Sequence, residues 1–295
     1  MGAKDNESVL IITDTLTPQR ITDVLFKESH NIGCETMLMK ILPRATHGKE
    51  PPKAVAEAMK NVDIIIAPTS KSLTHTQARI DAKAAGARMA SMPGITEEMM
   101  TKGGMTADYN YISKVADDIL SRLEGSKEVK IITELGTNLT FDVSGCKWHA
   151  DTGICHKAGD MTNLPAGEVY IAPKNTNGIL VVDGAMGGVG ILEKPIEIKI
   201  VDNYAIEINS KKLSNMVDSV GKLGRNIAEF GIGINNKAKL IGNVLEDEKV
   251  KGTVHVALGD NSTIGGNVKV DLHLDGIITL PKMFVDGEEF LIERF

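Results

Sequence analysis

Two histidines in the last fifth of the chain have the surroundings expected of metal ligands. In residues 271–275, a β-strand would place His273 and Asp275 on one face, because successive side chains of a strand point to opposite faces. His255 stands between two valines, which would point away from it in the same manner. Imidazole and carboxylate groups together are typical ligands of divalent transition metals. Either histidine alone could be a half-buried core residue, but the two contexts together predict a metal site.

Two glutamates could complete this site. Glu229 lies between Ala228 and Phe230, and a carboxylate in such apolar surroundings is costly to bury unless it is paired or binds a metal. Glu168 begins a β-prone run that follows a turn at 163–167. We predict that both glutamates bind metal and take part in catalysis. The alternative for each of them is an ordinary exposed glutamate.

A separate group of thiols and imidazoles has the ligand types of a zinc site. It consists of Cys146 and His149, followed by the adjacent pair Cys155 and His156. The spacing is not that of a tetrahedral zinc site, and neighbouring residues of a strand point to opposite faces. We therefore expect a loop with reduced thiols near the active site, in which His156 or His149 contacts the substrate.

The composition excludes several classes of function. The 295 residues carry a net charge of −6 with a pI near 5.7, so the basic surface needed for nucleic acid or acidic membranes is missing. No apolar run reaches the roughly 20 residues that span a bilayer, and no signal peptide is recognisable. Three cysteines, an odd number, argue against a disulfide framework. The sequence predicts a cytoplasmic protein with no nucleic-acid or membrane partner.

The first 125 residues alternate between strand and helix patterns. The apolar runs at 9–12 and 62–67 are continuous, as in strands that are buried on both faces. Amphipathic helical patterns follow each of them, at 18–29 and 74–85. This order predicts a Rossmann-like α/β domain over 1–125, built on a doubly wound and mostly parallel sheet.

The rest of the chain has a different character. Residues 126–295 hold all but 8 of the 29 glycines, and short β-prone runs recur between glycines and asparagines. One helical pattern interrupts them near 211–223. We predict a β-rich α+β domain over 126–295 that contains a curved antiparallel or mixed sheet and carries the metal site.

From about residue 64 onward, the sequence resembles the thermophilic metalloaminopeptidases of the aminopeptidase T and S type, a leucyl aminopeptidase-like family. The resemblance rests on blocks in the family's order: 69–76, 86–88, 92–96, 136–139, 163–169, 229–233, 255–259 and 273–275. It implies two divalent ions (zinc, cobalt or manganese) and a homodimer. The metal ligands that it implies are Glu168, Glu229, His255, His273 and Asp275.

Two such ions suit peptide hydrolysis, because they lower the pKa of a bound water and polarise the peptide carbonyl. We therefore expect an aminopeptidase that removes N-terminal residues from small peptides. Glu168 or Glu229 would be the bridging ligand or the proton shuttle, and the sequence does not separate these roles. Ser262 stands where the family has its active-site tyrosine, and we expect Ser262 to contact the substrate.

A second class of enzyme stays open. The 2,5-dihydroxypyridine dioxygenases are similar to these aminopeptidases in fold, but they hold a single ferrous ion. By that resemblance His255, His273 and Asp275 would be its ligands, and both glutamates would be left for acid–base chemistry. The presence of both glutamates favours the two-metal hydrolase. A metal-free protein that binds a small molecule is the third alternative.

Overall fold

The computed structural model describes residues 1–292, and the chain divides into two compact units. The first unit comprises Met1–Tyr109 and Gly153–Ala166, and the second comprises Asn110–Thr152 and the chain from Gly167 onward. Residues 153–166 thus lie in the first unit, although the sequence placed them in the second domain. The boundary expected after residue 125 stays a prediction for independently folding domains.

Strands and helices alternate in the first part of the chain. The strands are β1 (Ser8–Asp14), β2 (Glu35–Ile41), β3 (Ile64–Ala67) and β4 (Arg88–Ser91). The helices are α1 (Gln19–Asn31), α2 (Lys53–Met59), α3 (Gln77–Ala84), α4 (Glu97–Lys102) and α5 (Tyr109–Leu123), with a 3₁₀ turn at Gly104–Thr106.

Strands dominate the remainder. They are β5 (Glu128–Ile132), β6 (Asn138–Asp142), β7 (His149–Asp151), β8 (Met161–Asn163), β9 (Glu168–Ile171), β10 (Asn175–Val182), β11 (Ala185–Met186), β12 (Gly190–Ile191), β13 (Ile196–Val201), β14 (Tyr204–Ile208), β15 (Ile227–Gly233), β16 (Val254–Gly259), β17 (His273–Ile278), β18 (Lys282–Val285) and β19 (Glu288–Phe290). Helices α6 (Lys211–Asp218) and α7 (Val244–Asp247) and a 3₁₀ turn at Lys222–Arg225 interrupt them.

The sheet of the first unit is parallel throughout. Its strand order is β2-β1-β3-β4-β8, and every neighbouring pair is parallel. The apolar run in β1 is buried because helices cover both faces of the sheet. Leu10 packs in one cluster with Val55 of α2, and Val9 packs in another with Leu25 of α1. The parallel α/β sheet expected from the sequence is therefore present.

The second unit contains two antiparallel sheets of seven strands each, where the sequence predicted one. Their strand orders are β14-β13-β10-β6-β5-β18-β19 and β12-β11-β17-β16-β15-β9-β7. We call the second of these the site sheet. A strand such as Ile196–Val201, which alternates between buried and exposed residues, has one face in the core and one in water. The chain as a whole has a mixed α/β fold.

The centre of the site sheet is covered on both faces. All seven residues of β15 and all six residues of β16 are buried. A carboxylate or an imidazole on these strands loses its contact with water, so its polar atoms need partners inside the protein. In the part of the chain that the structure describes, no helix is long and apolar enough to cross a membrane.

Candidate metal centre

The register of the site sheet brings the predicted ligands to one face. Residues that pair directly across neighbouring strands point to the same side, as do residues two apart along one strand. Glu229 of β15 pairs with Ala257 of β16, which in turn pairs with Asp275 of β17. His255 is two residues from Ala257, and His273 is two residues from Asp275. The sheet therefore presents these four side chains together, and Glu168 joins them from β9.

Glu229 lies between the two histidines. Its Oε1 is 3.3 Å from Nε2 of His255, and its Oε2 is 3.6 Å from Nε2 of His273. Asp275 Oδ1 is 3.4 Å from the same nitrogen of His273, and Glu168 Oε2 is 3.4 Å from that of His255. Two groups of ligand atoms thus overlap at Glu229, one with Glu168 and His255 and one with His273 and Asp275.

A glycine makes room for the His255 ring. Gly231 pairs with His255 across the strands, and any Cβ at position 231 would overlap Nε2 and Cε1 of the imidazole. The ring therefore lies flat across the neighbouring strand and turns its Nε2 toward the carboxylates. Gly231, two residues after Glu229, therefore has a steric role in the site.

His273 is oriented by the loop that precedes β17. Its Nδ1 is 2.8 Å from the carbonyl oxygen of Asp260, and because a carbonyl only accepts, Nδ1 carries the proton. Nε2, which faces the carboxylates of Glu229 and Asp275, is then the nitrogen that could bind a metal. The Asp260 carboxylate accepts hydrogen bonds from the backbone N–H of Ser262 and of Val270, and from the Ser262 hydroxyl. Ser262 itself is exposed and belongs to the loop that orients His273. Its contact with the substrate stays a prediction.

The cluster contains buried polar atoms that a cation would satisfy. Glu168 Oε2 and Asp275 Oδ1 are buried and have no hydrogen-bond partner. Unpartnered carboxylate oxygens that converge on imidazole nitrogens are costly without a cation between them. Two imidazoles and a carboxylate also form the set that non-heme ferrous sites use. The residues present therefore fit a divalent transition metal.

The electrostatics agree with this fit. Burial lowers the pKa of His255, but the hydrogen bond with Glu229 and the nearby carboxylates outweigh it and raise that pKa to about 9. Burial also lowers the pKa of His273, but the charge of Asp275 outweighs it and raises that pKa well above its usual value. Burial raises the pKa of Glu229. Without metal, the imidazoles hold protons between the carboxylates.

A buried lysine, missed in the sequence, adjoins the cluster. Lys249 is completely buried, and its Nζ lies 2.5 Å from Glu168 Oε1 and 2.5 Å from Glu248 Oε1. Burial lowers the pKa of Lys249, but the charges of Glu168 and Glu248 raise it well above its usual value. A run of acidic residues such as Glu246–Glu248 is usually solvated surface, but here Glu246 and Asp247 are 1% exposed. The sequence contains one indication of this buried ion pair, because a lysine directly follows the acidic run.

An aromatic pair lies on the same face of the site sheet. Tyr170 pairs with Gly231 on one side and with His149 on the other, so both rings share the face of His255. The rings of His149 and Tyr170 are stacked, with their centroids 5.5 Å apart. Burial raises the pKa of Tyr170, and the charges of Glu229 and Glu168 add to this effect, so the phenol stays neutral. The sequence raised His149 as a contact of the substrate but did not point to Tyr170.

The other predicted substrate residue does not belong to this cluster. His156 lies in the first unit, is exposed, and has its ring against Gly2. Its role in substrate binding stays a prediction. Cys146 and Cys155 are free thiols that belong to different units, and neither is part of a candidate metal group in the described residues.

Comparison with solved structures places the fold. The structure of 2,5-dihydroxypyridine dioxygenase from Pseudomonas putida KT2440 has a TM-score of 0.84 and 13% sequence identity, with 97% of this chain and 90% of that chain covered. AmpT from Thermus thermophilus has a TM-score of 0.69 and 14% identity, with 98% and 94% covered. Identities this low show a shared fold only. No curated protein matches the chain.

The family comparison corrects the expected activity. The model of the family described as NicX: 2,5-dihydroxypyridine 5,6-dioxygenase matches residues 2–293, nearly the whole chain. The expectation of an aminopeptidase, a metalloprotease or any other hydrolase is therefore wrong. The chain belongs to the 2,5-dihydroxypyridine 5,6-dioxygenase family.

Proposed function

We propose that this protein is a ferrous-ion-dependent dioxygenase that opens the ring of a dihydroxylated pyridine. The observation that carries the proposal is the match of the family model over residues 2–293. The strand register, which places His255, His273 and Asp275 on one face of the site sheet, supports it. The proposed substrate is then a small aromatic molecule. The sequence alone was compatible with either a peptide or a small molecule.

His255, His273 and Asp275 would hold the metal. This set of ligands leaves coordination positions open, as in other non-heme ferrous oxygenases. A ferrous ion bound there supplies the oxygen chemistry, which no amino-acid side chain can perform. One ferrous ion replaces the two zinc, cobalt or manganese ions expected for a hydrolase.

Glu229 is suited to move a proton of the substrate. A dihydroxypyridine carries acidic ring hydroxyls, and the loss of such a proton makes the ring electron-rich. The Glu229 carboxylate lies within 4 Å of both imidazoles, and burial raises its pKa toward neutrality, where a general base is most effective. Its charged form can accept the proton of a ring hydroxyl that is held next to His255 or His273.

The stacked rings of His149 and Tyr170 are suited to orient the substrate. Tyr170 lies two strands and His149 three strands away from His255 on the same face, and a flat heteroaromatic ring gains by packing against such a surface. Tyr170 stays neutral and can donate a hydrogen bond to a ring hydroxyl or nitrogen. Close packing at this face also keeps water away from the reacting ring. The cytoplasmic location and the homodimer inferred from resemblance are retained as proposals.

Oxygen uptake tests the function directly. The protein is loaded with ferrous ion without oxygen and mixed with 2,5-dihydroxypyridine in air-saturated buffer, and oxygen and substrate are followed together. We expect one oxygen molecule to be consumed per substrate molecule. His273→Ala should lose at least about 10³-fold in rate because a ligand is missing, whereas the exposed His30→Ala control in α1 should not change. An iron-loaded wild-type protein that consumes no oxygen with dihydroxypyridines would reject the proposal.

A further inference from the structure

We propose that the buried ammonium group of Lys249 takes the place of a second divalent cation and restricts the centre to one metal ion. This inference rests on the proposed function in one respect, namely that one metal ion binds at the position that contains His273 and Asp275. It goes beyond that function because it assigns a role to a residue outside the ligand set. Lys249 would be a positioning residue that determines how many ions the centre holds.

The ligand atoms alone offer two metal positions. One position is formed by Glu168, Glu229 and His255, and the other by Glu229, His273 and Asp275; the ligand atoms within each group lie within 4.8 Å of one another. Glu229 turns one oxygen toward each histidine, which is the arrangement of a carboxylate that bridges two ions. The carboxylates and imidazoles therefore do not explain why this centre should hold one ion.

Lys249 removes one of the two positions. Its Nζ lies 2.5 Å from Glu168 Oε1, so this oxygen already has a cationic partner. The remaining oxygen, Oε2, faces Nε2 of His255 at 3.4 Å. An ion held by Glu168, Glu229 and His255 would lie close to the ammonium group with no water between the two charges, and like charges repel strongly at such distances in a buried site.

The lysine is held in place by its surroundings. Its side chain is completely buried, and Nζ is fixed from a second direction by Glu248 Oε1 at 2.5 Å. Its backbone N–H donates to the carbonyl of Glu246, and its carbonyl accepts from the N–H of Asn235. Moving the ammonium away would leave Glu168 and Glu248 as buried charges without a partner, which is costly. Lys249 therefore does not yield its position to a second ion.

This arrangement separates two kinds of chemistry. Hydrolysis by paired ions needs both positions, because each ion holds one side of the attacking water or the carbonyl. Oxygen chemistry at one ferrous ion needs one position with open coordination sites. The fixed positive charge of Lys249 beside Glu168 therefore favours oxygen chemistry at one ion over hydrolysis by two ions, although the ligands stay the same.

Counting metal ions tests the inference. Metal-free wild type and Lys249→Met are titrated with Co²⁺ by calorimetry, and the bound metal is measured by elemental analysis after gel filtration. We expect one ion per chain in the wild type and two in Lys249→Met, with the second ion bound at least about tenfold more tightly than any second ion in the wild type. Two ions bridged by Glu229 would also show magnetic coupling in the electron paramagnetic resonance spectrum, which one ion lacks.

Two further variants complete the design. Lys249→Met/Glu168→Gln removes the charge pair and should return to one ion per chain, and Lys249→Arg keeps the positive charge and should also bind one. If Lys249→Met does not fold, Lys249→Met/Glu248→Gln is used in its place. In that double variant, Glu168 is the one carboxylate of the former lysine pair that the second ion has to neutralise. Two ions in the wild type, or one ion in a folded variant that has lost the lysine charge but keeps Glu168, would overturn the inference. A wild type that binds one ion but consumes no oxygen rejects the proposed function instead.

Discussion

The imidazole of His255 lies across Gly231, its direct partner on the neighbouring strand. This contact explains how a fully buried ring can turn Nε2 toward both Glu229 and Glu168. A side chain at position 231 would occupy the space that the ring needs. The glycine is therefore as much a part of the centre as the residues whose atoms converge in it.

The first prediction concerns this glycine. Gly231→Ala should reduce the metal affinity by about 10- to 100-fold, since the ring must tilt away from the carboxylates. It should also lower the free energy of unfolding by about 1–3 kcal/mol through overpacking. Calorimetric titration with Zn²⁺ and thermal unfolding measure the two effects. In a His255→Ala background the same change should cost little stability, and an equal cost in both backgrounds would show that the ring is not the cause.

The second prediction separates the roles of Asp260 and Ser262. Asp260→Ala removes the carboxylate that organises the loop, so His273 loses its fixed orientation and the metal affinity should fall by about 10- to 100-fold. Ser262→Ala removes only one hydroxyl donor, and its metal affinity should change by less than about threefold. The Michaelis constant of Ser262→Ala decides whether this hydroxyl also contacts the substrate. Equal metal affinities in both variants would contradict the role of Asp260.

The third prediction concerns pH. The pKa of His255 is raised to about 9 in the metal-free protein, so its imidazole is protonated at pH 7 and must release the proton when it binds a metal. Metal affinity should therefore rise with pH up to at least about pH 9. Titration at pH 7 in two buffers of different ionisation enthalpy measures the released protons. Identical heats in the two buffers would show that no proton is displaced.

The same pKa affects the metal-free fold in the opposite direction. A raised pKa in the folded state stabilises it fully below the unfolded value of 6.5, and this contribution is lost as the pH rises through about 9. Metal-free protein should therefore unfold more easily at pH 9.5 than at pH 6. Metal-loaded protein should show the opposite trend over this range, and this difference is the control.

The fourth prediction concerns the stacked rings. His149→Ala should leave the metal content unchanged and raise the Michaelis constant for a dihydroxypyridine by about 2- to 10-fold, the usual effect of losing one aromatic contact. Steady-state oxygen uptake and elemental analysis measure the two quantities. A loss of metal with no change in the Michaelis constant would place His149 in the support of the centre instead of in substrate binding.

Strand alternation was sufficient to predict which side chains share a face. His273 and Asp275, two residues apart, could be placed together from the sequence because the period of a strand is fixed. Their meeting with His255 and Glu229 depends on the register of three strands, and the structure supplies that register. Whether these residues bind the metal stays a prediction.

The role of Lys249 could not be predicted because its partner Glu168 lies 81 residues earlier in the chain. The acidic run before it resembles a solvated surface in sequence, yet Glu246 accepts from the N–H of Lys239, and Asp247 from those of Ile241 and Gly242. A loop that folds back on its own helix leaves no periodic pattern in the sequence. The expected hydrolase was wrong because imidazole and carboxylate ligands suit several metals and reactions, so the ligand types alone do not select one.

Residues 153–166 belong to the first unit although they follow part of the second unit in the sequence, and this order affects folding during synthesis. Strand β8 pairs with β4 and covers the side of the parallel sheet at Arg88–Ser91, whose four residues are all buried. During synthesis, this sheet cannot acquire its last strand until residue 163 has left the ribosome, and by then β5 and β6 have already been made. A fragment that ends at residue 125 would carry an unpaired strand edge, which invites pairing with other chains. The first unit thus depends on translation continuing well beyond its own first 109 residues.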